Sequence, residues 1–192
     1  MLFRSPPPKV DGTPSVPDVG KGAAAAAAVS IAGETYANDP LHKKVGQIVA
    51  RDPVAGHYSY GMFGMNTKSE SIHQFVKENP QLGFKEKPGT TSFNEEFKKI
   101  ATERTKEMCD AQLKWYEKHV YVPTVNKLQK SGLPANIAKD QRVISYMSDR
   151  YNQMGGVAEA SALKAASSAK TPEEFIEHFE IIVTTIFHYE IS

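Results

Sequence analysis

The chain has 192 residues, with 23 lysines and arginines against 22 aspartates and glutamates, and a formal net charge of +1. This length allows one domain with a sizeable buried core, and the near-neutral charge argues against nucleic acid or an acidic membrane as a partner. The single cysteine, Cys109, excludes an internal disulfide, and no Cys/His cluster has zinc-type spacing. The sequence therefore implies neither a metal nor a cofactor.

The first 22 residues differ in composition from the rest of the chain. They contain five prolines and three glycines with few large apolar side chains. Such a composition favours an extended, flexible arm, and we place the folded domain at residues 23–192. No apolar run approaches the about 20 residues that span a bilayer. The alanine-rich stretch 23–32 begins too late in the chain for a secretory signal.

Two acidic residues, Glu34 and Asp52, follow the first predicted segments. Alanines at 23–28 favour a helix and Gly33 weakens it, so Glu34 is expected near a helix C-terminus. Residues 45–49 favour a short helix or an irregular segment that leads to Asp52. Between 57 and 66, aromatic residues are mixed with glycines, which is typical of short, twisted strands. We predict a small antiparallel hairpin there.

The remainder of the chain is predicted to be helical. Apolar residues recur at helical spacing, and three helices open with the capping-box pattern of a hydroxyl followed three residues later by glutamate. These patterns begin at Thr67, Ser92 and Thr171. We expect a long helix over 93–120, followed by a break or a kink at Pro123. A core helix that ends at Gly155 and a small-residue helix over 158–169 complete the prediction.

The carboxylates of Glu34 and Asp52 suggest glycosidic chemistry. Cleavage of a glycosidic bond commonly needs one protonated and one ionised carboxyl group on either side of the scissile oxygen. Apolar neighbours and the negative end of a helix dipole would both raise the pKa of Glu34, which suits a proton donor. The simpler interpretations are an ordinary solvated glutamate for Glu34 and a turn-forming aspartate before Pro53 for Asp52.

The residues after Asp52 resemble a known family. The string Tyr60-Gly61-Met62-Phe63-Gly64-Met65-Asn66-Thr67 is similar to one that follows the catalytic site in many lysozymes and lytic transglycosylases. With the eighteen-residue separation of Glu34 and Asp52, the chain looks like the chitosanase branch of the lysozyme-like superfamily and its phage-borne, peptidoglycan-cleaving relatives.

This resemblance implies roles for eight residues. Glu34 would be the general acid, Asp52 the general base, and Ser59 the hydroxyl that holds the attacking water. The substrate would be contacted by Tyr58, Tyr60, Asn66, Thr67 and Gln153. Because Tyr58 and Tyr60 point to the same face of a strand, we expect one of the two to belong to the core instead.

The chain departs from the family pattern at two places. The usual serine-glycine-glycine after the acid is replaced by residues that begin with Thr35-Tyr36, and the common glutamine of the hairpin is Gly64. Either change is compatible with altered specificity or with lost activity.

The expected fold is a mainly α, lysozyme-like α+β domain. A helical bundle would be built on 93–188 and a small hairpin lobe on 57–66, with Glu34 and Asp52 in the cleft between them. The implied activity is that of a muramidase, which hydrolyses the β-1,4 bond of the peptidoglycan glycan strand, with inversion of configuration.

The missing signal and the arm of residues 1–22 suit a phage protein. We expect a tail or internal component of the virion, attached to other phage structural proteins through the arm, or an enzyme in the host cytoplasm before lysis. Two alternatives stay open. The first is a catalytically inactive structural or docking virion protein with this fold. The second is a chitosanase, which would need more acidic residues in the cleft, and Asp39 is the only extra one nearby.

Overall fold

The structure, a computed structural model, describes residues 16–34, 44–154 and 168–189 and is mainly helical with one small sheet. The predicted α+β, mainly α class is therefore confirmed. The helices are α1 (Val16–Glu34), α2 (Ser71–Glu78), α3 (Thr91–Glu103), α4 (Thr105–Tyr116), α5 (Val122–Lys130), α6 (Ala135–Ala138), α7 (Gln141–Met154) and α8 (Pro172–Tyr189). A 3-10 turn (Pro80–Leu82) precedes α3, and a π-helical segment (Glu117–Tyr121) joins α4 to α5.

Helix α1 begins earlier than the composition suggests. Residues 16–22, which we expected in the extended arm, are helical, whereas residues 1–15 lie outside the described ranges. Gly22 fits the helix because it passes close to Tyr121, where an added Cβ would lie 2.0 Å from the phenol oxygen. The alanines of α1 then pack mainly along α7, and Ala26 and Ala27 are buried.

The sheet has three antiparallel strands in the order β1 (Ile48–Asp52), β2 (His57–Tyr60) and β3 (Met65–Asn66). In its register, Ile48 pairs with Tyr60, and Ser59 pairs with Asn66. The predicted hairpin is therefore confirmed as β2 and β3. The short helix or irregular segment predicted over 45–49 is wrong at Ile48 and Val49, whereas Val45 is helical. Ile48 and Val49 extend the hairpin by one strand through long-range pairing that local periodicity does not report.

Two of the three predicted capping boxes are wrong. Glu70 precedes α2 in a left-handed conformation without a side-chain cap. Helix α3 is capped by Thr90, whose hydroxyl accepts from Phe93 N at 3.2 Å, instead of by Ser92. The third box holds, since Thr171 Oγ1 accepts from Glu174 N at 3.2 Å and α8 begins at Pro172.

The break or kink predicted at Pro123 corresponds to a π-helical segment, and the long helix is also interrupted earlier in the chain. The helix over 93–120 is divided near Arg104 into α3 and α4, and Pro123 is the second residue of α5. The π-helical segment lies directly before this proline, where a wider turn accommodates a residue that lacks a backbone N–H. The predicted core helix is confirmed as α7. Of the small-residue helix over 158–169, only residues 168 and 169 are described, and they lie in a turn region.

One core extends from α1 to α8. Its largest group is aromatic, with the Tyr60 ring edge-on to Phe93 at 5.2 Å and Phe97 also 5.2 Å from Tyr60. Gln112 of α4 fixes the sheet to this core, because its side chain accepts from Met62 N at 2.8 Å and donates to Val45 O at 2.9 Å. No helix among the described residues is long and apolar enough to cross a membrane.

Candidate functional site

A polar groove lies between the sheet and the C-terminal end of α7. It consists of a first cavity of about 570 Å³ and a second of about 530 Å³. Gly64, Asn66, Asn152 and Gln153 line both cavities, so the two adjoin. The first cavity extends towards β1 and β2, and the second extends towards α2 and the π-helical segment.

Asp52 lines the first cavity at the end of β1. It is exposed, and its Oδ1 accepts a hydrogen bond from Ala55 N at 3.1 Å. This bond is the one expected of an aspartate that opens a turn before proline. Asp52 thus opens a turn, as the simpler interpretation of the sequence expects, and it also lines the groove.

Ser59 and Tyr58 also line the first cavity, but Tyr60 does not. Ser59 is buried and lies 3.5 Å from the Nε of Arg51. The Tyr60 hydroxyl donates to Asn94 Oδ1 at 2.7 Å and accepts from Gly89 N at 3.1 Å. Burial raises its pKa to about 12. The substrate contact implied for Tyr60 is therefore wrong, because this tyrosine is the core member of the pair.

The remaining implied contacts lie in the groove. Asn66 Oδ1 accepts from Ser69 N at 2.7 Å, and Thr67 Oγ1 donates to Gly56 O at 3.1 Å, so both side chains also brace turns. Gln153 is exposed and donates to Asp149 Oδ2 at 3.2 Å. The chain thus brings Asp52, Tyr58, Ser59, Asn66, Thr67 and Gln153 to one surface.

The helix that ends at Glu34 packs behind this surface. Four residues before Glu34, Ser30 Oγ lies 2.9 Å from the Tyr116 hydroxyl. The Tyr116 ring stacks on Phe63 at 4.4 Å, and Phe63 lines the first cavity. The side chain of Glu34 and all of Asp39 fall outside the described part of the chain. A pairing of Glu34 with Asp52 therefore stays a prediction.

Sequence reasoning missed the buried carboxyl group of Asp149. This α7 residue is 7% exposed, and burial raises its pKa above the ordinary value of 3.8 against the opposing charge of Arg150. Its contact with Gln153 places it directly behind the groove wall. Asp149 could have been recognised in the sequence as an acidic residue within a predicted core helix, two positions after the core residue Met147.

Sequence reasoning also missed the α7 residue Asn152 and the cations at the groove. Asn152 Nδ2 donates to Phe63 O at 3.0 Å and so connects α7 to the turn between β2 and β3. Arg51 and Lys68 line the first cavity, and Lys127 lines the second. Among the described residues, no group of three or more His, Cys, Asp or Glu side chains could hold a metal ion.

Comparison with known proteins gives one family. A family model described as "Type VI secretion system spike protein VgrG3-like, C-terminal" matches residues 37–177. No curated protein and no solved structure matches the chain. The match corrects the family resemblance drawn from the sequence, since the family is one of secretion spike proteins and not of lysozyme-like peptidoglycan hydrolases.

The string at 60–67 is explained by folding. Gly61 and Gly64 have positive φ angles of 71° and 62° in the turn between β2 and β3, which glycine adopts without strain. Tyr60 and Phe63 are buried core residues. The requirements of a tight turn over an aromatic core are sufficient to account for this string. The family indicates a secretion-apparatus spike, whereas the phage origin stays a prediction.

Proposed function

The chain belongs to the VgrG3-like C-terminal family of type VI secretion spike proteins, and on this premise we propose that it is a docking module of the spike whose groove binds an extended polar ligand. The observation that carries this proposal is the pair of adjoining cavities that share four lining residues. An extended chain can occupy both cavities at once, whereas a small compact molecule fills only one.

The groove walls are held in place by hydrogen bonds that need no ligand. Gln112 fixes the turn after β2 to α4, and Asn152 fixes the same turn to α7. A groove that is formed before binding loses little conformational entropy when the ligand arrives. The other spike proteins would be the partners that hold the module in the apparatus.

The proposal is tested by blocking the groove. Gln153 is exposed and lines both cavities, so Gln153→Trp places a bulky side chain at their junction. The purified chain is sedimented with peptidoglycan sacculi, chitin or chitosan. We expect at least one polymer to retain the protein and Gln153→Trp to reduce the retention about tenfold, a loss of about 1.4 kcal/mol.

The matched control is Gln129→Trp, at an exposed glutamine of α5 that lines neither cavity. It should sediment like the wild type. Circular dichroism checks that both variants are folded. Equal retention of the two variants, or no retention of the wild type on any polymer, contradicts the docking proposal.

A second candidate function is hydrolysis of a glycosidic bond. It is favoured by Asp52, an exposed carboxylate on the wall of the first cavity, which Ser59 also lines. In this candidate Glu34 donates the proton and Asp52 activates a water.

Zymography separates the two functions. Gels that contain peptidoglycan or chitosan are loaded with the wild type, Glu34→Gln and Asp52→Asn. Hydrolysis predicts clearing by the wild type and at least a hundredfold less by either variant, since general acid or base catalysis contributes about 10²–10⁴-fold. If the folded wild type sediments with a polymer but clears neither, the chain is a docking module without this activity.

A further inference from the structure

We infer that the groove is specific for polysaccharides that carry carboxylate groups, an inference that rests on the proposed docking function. The charges that line the groove are the basis. Arg51 and Lys68 line the first cavity, and Lys127 lines the second. Among the side chains that the structure describes, Asp52 is the only carboxylate that lines either cavity.

The two cations of the first cavity are available to a ligand. Arg51 and Lys68 are exposed, and neither forms an ion pair with a described residue. Some exposed cations on the helices are instead paired within the protein. For example, Lys106 Nζ lies 2.8 Å from Asp110 Oδ2. A cation without an ion-pair partner among the described residues can pair with a ligand carboxylate and break no existing ion pair.

Lys127 places positive charge at the second cavity. Its Nζ lies 4.8 Å from the centre of the Tyr151 ring, within the range of a cation–π contact. Both residues line the cavity. Positive charge is thus present along the whole groove, and a ligand with repeated negative groups fits this distribution better than one with a single charge.

The polar groups that line the groove favour a glycan over a peptide strand. Side-chain amides and hydroxyls predominate, from Asn66, Thr67, Asn152 and Gln153, and these suit the hydroxyl groups of sugars. Peptide strands commonly dock on a free sheet edge. Here β3 has two residues, and Asn66 N already donates to Ser71 Oγ at 2.8 Å, so this edge offers little main-chain pairing.

The same charges disfavour a cationic glycan. The amino groups of chitosan would meet Arg51, Lys68 and Lys127 with only Asp52 to compensate among the described lining residues. Repulsion between exposed charges is modest for each pair, but several pairs act together along an extended polymer.

The test uses three oligosaccharides with one backbone. Neutral chitin, carboxymethylated chitin and cationic chitosan oligosaccharides share β-1,4-linked glucosamine units and differ in charge. Isothermal titration calorimetry is run with the full chain at 50 mM salt. We expect the carboxymethylated form to bind about tenfold more tightly than the neutral one. The difference should shrink at 0.5 M salt, because salt screens exposed charges.

The variants Arg51→Gln and Lys68→Gln should each reduce the preference for the carboxymethylated form about threefold. Lys77→Gln is the matched control, since Lys77 is an exposed lysine of α2 that lines neither cavity. It should leave the preference unchanged.

Two results overturn the inference. The first is equal binding of neutral and carboxymethylated chitin, unaffected by the variants, and in this case the docking proposal stands. The second is binding of poly-glutamate instead of any oligosaccharide, with loss in Arg51→Gln, which would assign the cations to an acidic peptide. Failure of every ligand to bind instead rejects the docking proposal itself.

Discussion

At the scale of single residues, Gln112 is a buried polar residue that connects two backbone segments. Its buried amide satisfies Met62 N and Val45 O, two backbone groups at the end of the sheet where β1 begins and β2 ends. Gln112→Ala leaves both without a partner. We expect the free energy of unfolding to fall by about 2–4 kcal/mol, since an unsatisfied buried polar group costs about 1–3 kcal/mol. Urea unfolding measures this difference.

Gln129→Ala is the control for this prediction. Gln129 is exposed on α5, so its truncation should change the free energy of unfolding by less than about 0.5 kcal/mol. Similar losses in the two variants would show that the amide of Gln112 does not fix the sheet.

The candidate site was predictable where its residues lie close together in the sequence. Asp52, Ser59 and Asn66 belong to one short, glycine-containing segment, and all three line the groove. The sequence predicted one core tyrosine in the pair but not that it is Tyr60, because strand alternation gives the face of a tyrosine but not its depth. Asn152 and Asp149 reach the groove only through the packing of α7 against the sheet and α1, which local patterns do not encode.

At the scale of secondary-structure elements, the contact between α1 and α7 depends on small side chains. Ala26 is fully buried, whereas Ala28 is exposed two positions later. Ala26→Leu forces extra methylenes into a packed interface, and we expect a loss of about 1–3 kcal/mol in the free energy of unfolding. Thermal or urea unfolding tests this.

Ala28→Leu makes the same chemical change on the exposed side of α1. It should have little effect, because leucine and alanine have similar helix propensities. If Ala28→Leu destabilises the protein as much as Ala26→Leu does, the buried face of α1 is assigned incorrectly.

A second element-scale prediction concerns the ion pairs between α2 and the π-helical segment. The hydrogen bond from His119 lowers the pKa of Glu78 below its ordinary value of 4.5, and Lys118 contributes in the same direction. The folded state therefore favours ionised Glu78. This stabilisation is present above about pH 4.5 and is lost as the pH falls through the lower pKa of the folded state.

Glu78→Gln should thus destabilise the protein at pH 7 by less than about 1 kcal/mol, and the difference from the wild type should shrink below pH 4.5. Unfolding curves at several pH values provide the measurement. Glu103→Gln, at an exposed glutamate of α3, is the control. If the difference in stability between the wild type and Glu78→Gln grows as the pH falls, this prediction is wrong.

The elements themselves were predicted unevenly. Helices α7 and α8 were predictable from apolar periodicity, and α8 was also predictable from the cap at Thr171. Strand β1 could not be recognised because its identity depends on pairing with β2, and β-branched residues such as Ile48 and Val49 also fit a short helix. The missing N–H of Pro123 predicts an irregularity in the helix, but it does not predict that the irregularity takes the form of a π-helical segment.

At the scale of the whole molecule, the core is one connected cluster from Ala23 to Val183. We therefore expect a single cooperative unfolding transition. The only tryptophan, Trp115, is buried in this cluster and reports on tertiary packing, while far-UV circular dichroism reports on the helices. The two urea curves should coincide. Two separated midpoints would show that α1 or α8 unfolds independently.

The hydrogen bond from Asn152 to Phe63 O sets a limit on the shape of a bound molecule. Both partners line the first cavity, and Asn152 also lines the second. A polymer that fills both cavities passes beside this bond, which ties the turn between β2 and β3 to α7. The bond keeps these two walls from moving apart, so we expect a polymer with bulky substituents at this point to bind weakly whatever its charge.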